Sequence, residues 1–247
     1  MSTLLVDAHC HLDLYPDPKP ILEAARAAES YVIAVTNTPA VFCSTELLVA
    51  GFNRIRPALG LHPELIPERA QEITLFRSLL TKTRYVGEVG LDYSTVYARY
   101  KEKQRAIFGQ ILEQCASYLD KVITIHSRRA VNDVLAAVGD KFAGRLILHW
   151  FTGSVSQVEQ AAALGFYFSV NPAMTRSNHG RRLIAAMPVD RVLTESDGPF
   201  VTCGSKPATP MDVIKALHFL SGLWQQDLRE AADRVRHNFK ICLSLNR

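Results

Sequence analysis

Eight short apolar runs alternate with longer helical patterns from one end of the 247-residue chain to the other. They lie near residues 4–9, 31–36, 55–61, 85–90, 121–126, 145–149, 166–170 and 191–195. Runs of this length read as buried strands, and the stretches between them carry the 3.6-residue period of helices. In one such stretch Ile107, Ile111, Leu112, Cys115 and Leu119 are expected to line a single face. Gly165 before Phe166 and Pro188 before Arg191 punctuate the approaches to two strands. Eight strand–helix units with no Gly/Ser linker, internal repeat or low-complexity tract predict an α/β fold. The expected form is a closed TIM (β/α)8 barrel in one domain over residues 1–247. A doubly wound open sheet is the alternative, but no Gly-x-Gly-x-x-Gly follows the first run, and that topology spreads strand ends along an edge.

A parallel barrel gives its strands a common direction and gathers functional groups at their C-terminal ends. His9 and His11 end the first strand two residues apart, so both rings face one side while Cys10 faces the other. Glu88 falls at the end of the fourth strand, His126 of the fifth and His149 of the sixth, and Asp197 follows the eighth. Singly, Glu88 reads as a salt-bridged barrel residue, and His126 or His149 as a hydrogen-bonded core histidine. Their coincidence at one end of a barrel points instead to a site for one or two divalent ions, with Mg2+, Zn2+, Mn2+ and cobalt all suited to the mixed donor set. Two ions about 3.5–4 Å apart can activate a water and hold the attacking and leaving oxygens of a phosphoryl transfer. A carboxylate must lie between two such charges. Glu88 is the candidate, because Gly87 and Gly90 beside it permit close backbone approach.

Composition bounds the reading without deciding it. A chain 48% hydrophobic and 21% charged builds a substantial core. No apolar run reaches membrane-spanning length and the first residues lack a signal-peptide pattern, so a cytoplasmic protein without membrane contact is expected. Five cysteines without a Cys-x-x-Cys pair read as reduced core residues. The net charge of +4 is compatible with a polyanionic partner and does not establish one. Arg99, Lys101, Lys103 and Arg105 read as a solvated helix face, and Arg181 and Arg182 form another basic pair. Arg128 stands two residues beyond His126 and is the candidate for a phosphate contact.

The run from His9 to His11, the segment from Gly87 to Tyr93, Ile125-His126-Ser127-Arg128, His149-Trp150-Phe151-Thr152-Gly153 and Thr194-Glu195-Ser196-Asp197-Gly198-Pro199 resemble the successive signatures of TatD-family metal-dependent deoxyribonucleases. Their order covers nearly the whole chain, down to an Asn238-Phe239 pair like the family's C-terminal pattern. The resemblance implies a barrel of the amidohydrolase type acting on DNA. It places His9, His11, Glu88 and Asp197 around one metal ion and Glu88, His126 and His149 around the other. It also makes Asp197 the group that orients the nucleophilic water and takes its proton, and turns Arg128 and His62 toward the phosphate. A narrower resemblance, carried by the runs 12–18, 60–63, 125–130 and 149–151, is to the TatD-type nucleases of the Qat anti-phage defence system. It implies partner proteins from that system.

One position departs from the pattern. In Gly60-Leu61-His62-Pro63-Glu64 the family usually carries a second histidine where this chain has Glu64. A carboxylate there repels a phosphodiester unless it turns away or binds a metal, and Glu64 is expected to be an exposed loop residue. Trp150 replaces a common cysteine and reads equally as packing or as a wall for a base. Two other functions fit the same residues. One is hydrolysis of a small ester or amide, against which stands the absence of a barrel lysine near Glu88. The other is a non-catalytic subunit of a defence assembly, against which stands the complete set of ligands.

Overall fold

A computed structural model of the chain describes residues 4–140, 142 and 144–244. In chain order the elements are β1 (Val6–Cys10), α1 (Lys19–Ala27), β2 (Tyr31–Val35), α2 (Pro39–Leu48), β3 (Ile55–Ala58), α3 (Ile66–Arg69), α4 (Ile73–Leu79), β4 (Tyr85–Gly90), α5 (Lys101–Ala116), β5 (Val122–His126), α6 (Val131–Val138), β6 (Arg145–His149), α7 (Val155–Ala163), β7 (Tyr167–Val170), α8 (Pro172–Arg176), α9 (Asn178–Ala186) and β8 (Val192–Thr194). A short antiparallel pair, β9 (Thr202–Cys203) and β10 (Lys206–Pro207), precedes α10 (Val213–Trp224) and α11 (Leu228–Leu243).

Strands β1 to β3 form one parallel ladder and β4 to β8 another, and two seams close them into a barrel. At the first, the Leu59 N–H donates to Tyr85 O at 3.0 Å, the Gly87 N–H to Leu59 O at 2.9 Å and the Leu61 N–H to Glu88 O at 3.0 Å. At the second, the Asp197 N–H donates to His9 O and the His11 N–H to Gly198 O, both at 2.9 Å, while the Thr194 hydroxyl donates to Val6 O. The eight-stranded TIM barrel is therefore the fold, and the open sheet is excluded. Its interior and helix-facing layers bury Phe42, Phe76, Phe108, Phe151, Phe166 and Phe168 almost completely.

The first seam is built around Thr36, just beyond β2. Its backbone accepts from the Glu88 N–H at 2.9 Å and donates to Gly87 O at 3.1 Å. Its buried hydroxyl donates to Ala58 O at 2.9 Å and accepts from the Gly60 N–H at 3.0 Å. Gly60 is obligatory, since a Cβ there would lie 1.6 Å from Thr36 O. This arrangement corrects the third strand, expected over 55–61 and ending at Ala58. Pro57 brings no N–H to the ladder, and the chain from Leu59 onward bonds across the seam to β4.

Other departures are local. Helix α5 buries Ile107, Phe108, Ile111, Leu112 and Cys115 as its period requires, but it stops at Ala116, and Leu119 is 77% exposed instead of packed. All five cysteines are free, yet Cys43 is exposed and Cys203 half-buried, so only Cys10, Cys115 and Cys242 serve the core. Two polar residues tie elements together from inside. The Lys121 ammonium donates to Leu80 O at 2.8 Å and Thr83 O at 2.7 Å, and burial pulls its pKa below the usual lysine range. The Asn238 amide donates to Val189 O at 2.8 Å and Val192 O at 2.9 Å, which docks α11 onto β8. Among the described residues no helix is long and apolar enough to cross a membrane.

Candidate metal centre

The C-terminal ends of β1, β4, β5 and β6 and the loop after β8 converge on one point. His9 and His11 are fully buried, and their Nε2 atoms lie 3.2 Å apart. Cys10 faces the other way, its Sγ 3.7 Å from Gly198 O, as strand alternation demands. The Glu88 carboxylate sits between the imidazoles. Its Oε2 lies 3.4 Å from His9 Nε2 and 3.2 Å from His11 Nε2. Its Oε1 lies 2.6 Å from His126 Nδ1, 2.7 Å from His149 Nε2 and 3.1 Å from His62 Nε2. Asp197 Oδ1 stands 3.6 Å from His9 Nε2 and 3.7 Å from His11 Nε2. Strand β4 approaches β5 this closely because Gly90, at φ +138°, has no side chain; a Cβ there would lie 2.1 Å from His126 O.

These donors fit divalent cations. Ring nitrogens of His9 and His11 face each other, and a proton on one of them cannot satisfy the other and both carboxylates at once. Three trios have ligand atoms within 4.8 Å of one another: His9, Glu88 and His149; His9, His11 and Asp197; and His62, Glu88 and His126. Neutral imidazole nitrogen with carboxylate oxygen is the donor chemistry of zinc, manganese and related ions. The two sets expected from sequence, His9–His11–Glu88–Asp197 and Glu88–His126–His149, are brought together on either side of one carboxylate. His62, expected to face substrate, also packs against Glu88. Its Nδ1 accepts the Glu64 N–H at 3.2 Å, which leaves the proton on Nε2, pointing toward the centre. That tautomer makes His62 a donor rather than a metal ligand.

Burial and neighbours set the charges. Burial and the charge of His149, whose ring stacks at 3.9 Å, hold His9 well below the usual imidazole range. Burial opposes ionisation of Glu88, but His62, His149 and His9 outweigh it and hold the carboxyl well below the usual range. Asp197 is pushed well above that range by burial, with Glu195, Glu88 and Asp7 adding to the effect against His149. Asp7 is raised to about 7 by burial, despite hydrogen bonds from Ser196 and the His9 N–H. Trp150 and Asp197 hold φ of +34° and +46°. Such backbones cost about 1–3 kcal/mol and persist only where the surroundings over-determine them.

Above the centre lies a cavity of about 500 Å³, with Arg128, Trp150 and Phe200 in its lining. Arg128 is exposed, and its guanidinium has no hydrogen-bond or ion-pair partner among the described residues. Glu64 corrects its expected placement. It is half-buried and lines this cavity, and its charge raises the Tyr97 pKa, so it does not turn away into solvent. Of the other basic clusters, Arg181 is structural, its Nε donating to Thr175 O at 2.7 Å, and Lys103 donates to Pro67 O at 2.8 Å.

Sequence reasoning gave no role to three acids that orient this centre. Asp92 Oδ2 meets His126 Nε2 at 2.7 Å while its Oδ1 accepts the Ser94 N–H at 2.7 Å. Burial raises the Asp92 pKa, but the His126 and Ser94 bonds prevail and bring it to about 2. Glu195 Oε1 accepts from the Trp150 N–H at 2.9 Å and from Asn171 at 3.0 Å and lies 3.8 Å from His149 Nδ1. Asp7 binds Ser196 beside Asp197. The only sequence signal was the place of Asp92 and Glu195 inside the Gly87–Tyr93 and Thr194–Pro199 segments, and of Asp7 two residues before His9.

Known proteins are similar to this chain in sequence and fold. Residues 6–244 match the family described as TatD related DNase. The human protein named Deoxyribonuclease TATDN3 is 30% identical over 214 residues, covering 79% of this chain and 78% of its own length. The Escherichia coli K12 protein named Uncharacterized metal-dependent hydrolase YjjV is 25% identical over 254 residues, covering 96% of this chain and 97% of its own. The crystal structure of YjjV, titled a TatD homolog, matches the fold with a TM-score of 0.85 at 24% identity over 98% of each chain.

Proposed function

The chain belongs to the TatD-related DNase family, and from that premise we propose that it is a metal-dependent hydrolase of DNA phosphodiester bonds, acting on single strands or 3′ ends. The observation that carries this reading is Glu88, whose two oxygens face two separate groups of imidazoles at 2.6–3.4 Å. His9, His11, Glu88 and Asp197 would hold one divalent ion, Mg2+, Zn2+ or Mn2+, and Glu88, His126 and His149 a second. Such ions supply Lewis acidity toward a phosphoryl oxygen and lower the pKa of water. The remaining work falls to the protein's own groups. Asp197, whose Oδ1 stands 3.6 Å from His9 Nε2 and 3.7 Å from His11 Nε2, is the carboxylate that would take the proton released by the attacking water. His62 points its Nε2–H at the centre and donates to a phosphate oxygen. Arg128 supplies a planar, two-pronged phosphate contact at the mouth. Phe200, 57% exposed at the cavity, and Trp150 offer ring faces to unpaired bases, which favours single strands.

The test is hydrolysis by protein loaded with each metal, measured on single-stranded DNA, duplex DNA, RNA, a small phosphodiester and a neutral ester. Single-stranded DNA should be the best substrate. Arg128→Ala should reduce its turnover severely, Arg128→Lys should restore part, and Glu64→His should preserve or raise it. Hydrolysis of the neutral ester alone, with Arg128→Ala indifferent, would establish the small-molecule reading instead. A role beside proteins of an anti-phage defence system rests on the sequence runs already quoted, and its test is co-purification of such proteins from the native host.

A further inference from the structure

Arg128 and Arg129 are consecutive in sequence but line different spaces. The Ala130 N–H donates to Ser127 O at 3.0 Å and Arg129 takes a left-handed φ of +56°. Arg128 lines the cavity above the metal centre, while Arg129 lines a neighbouring cavity of about 370 Å³ with Lys101, Asn132 and Gln157. Thr152 belongs to the walls of both. Among the described residues, neither guanidinium has a hydrogen-bond or ion-pair partner. The second cavity carries one carboxylate, Asp133, which accepts the Tyr93 hydroxyl at 2.7 Å. Lys101 lies 3.7 Å and Arg105 3.8 Å from it, so two cations flank this acid while Arg129 lines the same cavity unpaired. The Gln157 amide donates to Asn132 Oδ1 at 2.6 Å, leaving the Asn132 amide hydrogens without an acceptor among the described residues.

We propose that this second cavity is a phosphate subsite for the nucleotide adjoining the scissile bond. An extended single strand leaves the metal centre over Arg128, passes Thr152 and places its next phosphate between Arg129, Lys101 and Asn132. The inference rests on the phosphodiester reading above and deepens it, because successive phosphates of one strand can use two adjacent unpaired guanidiniums. A small neutral ester has no group for the second one. Planar guanidinium forks suit phosphate oxygens, and binding that depends on them weakens steeply with salt.

The test uses full-length protein loaded with Mn2+ and a fluorescent phosphorothioate single-stranded oligonucleotide, with anisotropy read across a salt series. Arg129→Gln should reduce the slope of log affinity against log salt by about 0.7, and Arg129→Gln with Lys101→Gln by about 1.4. Arg129→Lys should keep most of the slope. Lys240→Gln, beside Leu4 and Tyr31 at the opposite end of the barrel, should leave both slope and turnover unchanged. On cleavable substrates the double variant should raise KM for the oligonucleotide at least fivefold more than KM for bis(4-nitrophenyl) phosphate. Unchanged slopes and KM in the double variant, or no binding by the parent, would overturn the subsite. A parent that binds with the full slope but cleaves no phosphodiester removes the proposed activity and leaves the subsite standing.

Discussion

Replacing Asp92 by Asn tests how the centre is held, because it keeps the shape of the side chain and reverses one hydrogen bond. The Asp92 backbone is locked to Gln104, its N–H donating to Oε1 at 2.8 Å and its carbonyl accepting from Nε2 at 2.9 Å, so an Asn side chain should occupy the same place. The oxygen that accepts the Ser94 N–H would stay an oxygen, which turns the new amide nitrogen toward His126 Nε2. His126 Nε2 must then accept, and its single proton moves to Nδ1, the atom 2.6 Å from Glu88 and facing the ion. Flipping the amide only exchanges this for two donors opposed at Ser94. Losing an orienting partner of a ligating histidine costs about 10–100-fold in metal affinity, about 1.4–2.7 kcal/mol. Asp92→Ala removes the bond without imposing the wrong tautomer. It should lose more stability, of the order of 2 kcal/mol from the fall of the Asp92 pKa from 3.8 to about 2, yet no more metal affinity than Asp92→Asn. Mn2+ titration by calorimetry, urea unfolding and 15N shifts of the His126 ring give the three readings. Two-ion binding by Asp92→Asn at the parent affinity, or a ring still protonated at Nε2, would refute the reasoning.

Three further outcomes follow from the same geometry. Glu88→Gln should depress the content of both ions measured by elemental analysis, whereas His126→Ala should lose one; a Glu88→Gln protein with two ions removes the shared-carboxylate reading. Thr36→Val should cost about 2 kcal/mol by stranding the Gly60 N–H, a fall in Tm of roughly 4–8 °C, while Thr36→Ser should fall less; equal Tm for parent and Thr36→Val would show that the seam does not depend on the hydroxyl. Asp7 gives a pH dependence. Its folded pKa of about 7 exceeds the 3.8 of an exposed carboxyl, so the folded metal-free protein binds the extra proton and its stability falls as pH rises from about 4 to 7. The fall attributable to this group is about 4 kcal/mol, and Asp7→Asn should abolish it in urea unfolding at stepped pH. A parent and Asp7→Asn pair with parallel profiles would contradict the assignment.

What could be read in advance was whatever depends on period and direction. Alternation along β1 was enough to put His9 and His11 on one side and Cys10 on the other. The common direction of parallel strands was enough to bring residues 9, 88, 126, 149 and 197 to one end. What could not be read depends on where a turn stops or on which distant atom a polar group meets. Leu119 fits the period of α5 but lies past its end at Ala116. Glu64 has a loop residue's sequence context, yet the turn in which its N–H donates to the capping His62 ring also leaves its side chain on the cavity wall. Asp92 and Glu195 meet partners 34 and 45 residues away, so no local pattern distinguishes them from acids in solvent.

Thr36 shows why the shared carboxylate is possible at all. Glu88 has to stand with five imidazole nitrogens around it, and desolvation alone would drive it to protonate. Its backbone is therefore held from outside the site: the Glu88 N–H donates to Thr36 O, its carbonyl accepts from Leu61, and the Gly60 hydrogen leaves room for that approach. None of these contacts involves a ligand atom. The bonds that close the barrel between β2, β3 and β4 are the same bonds that fix the acid against the histidines. A weakened seam should accordingly lower metal affinity before it unfolds the chain, and Thr36→Val measured by Mn2+ titration well below its Tm would reveal that order. Full metal affinity in a protein whose Tm has dropped would separate the seam from the site.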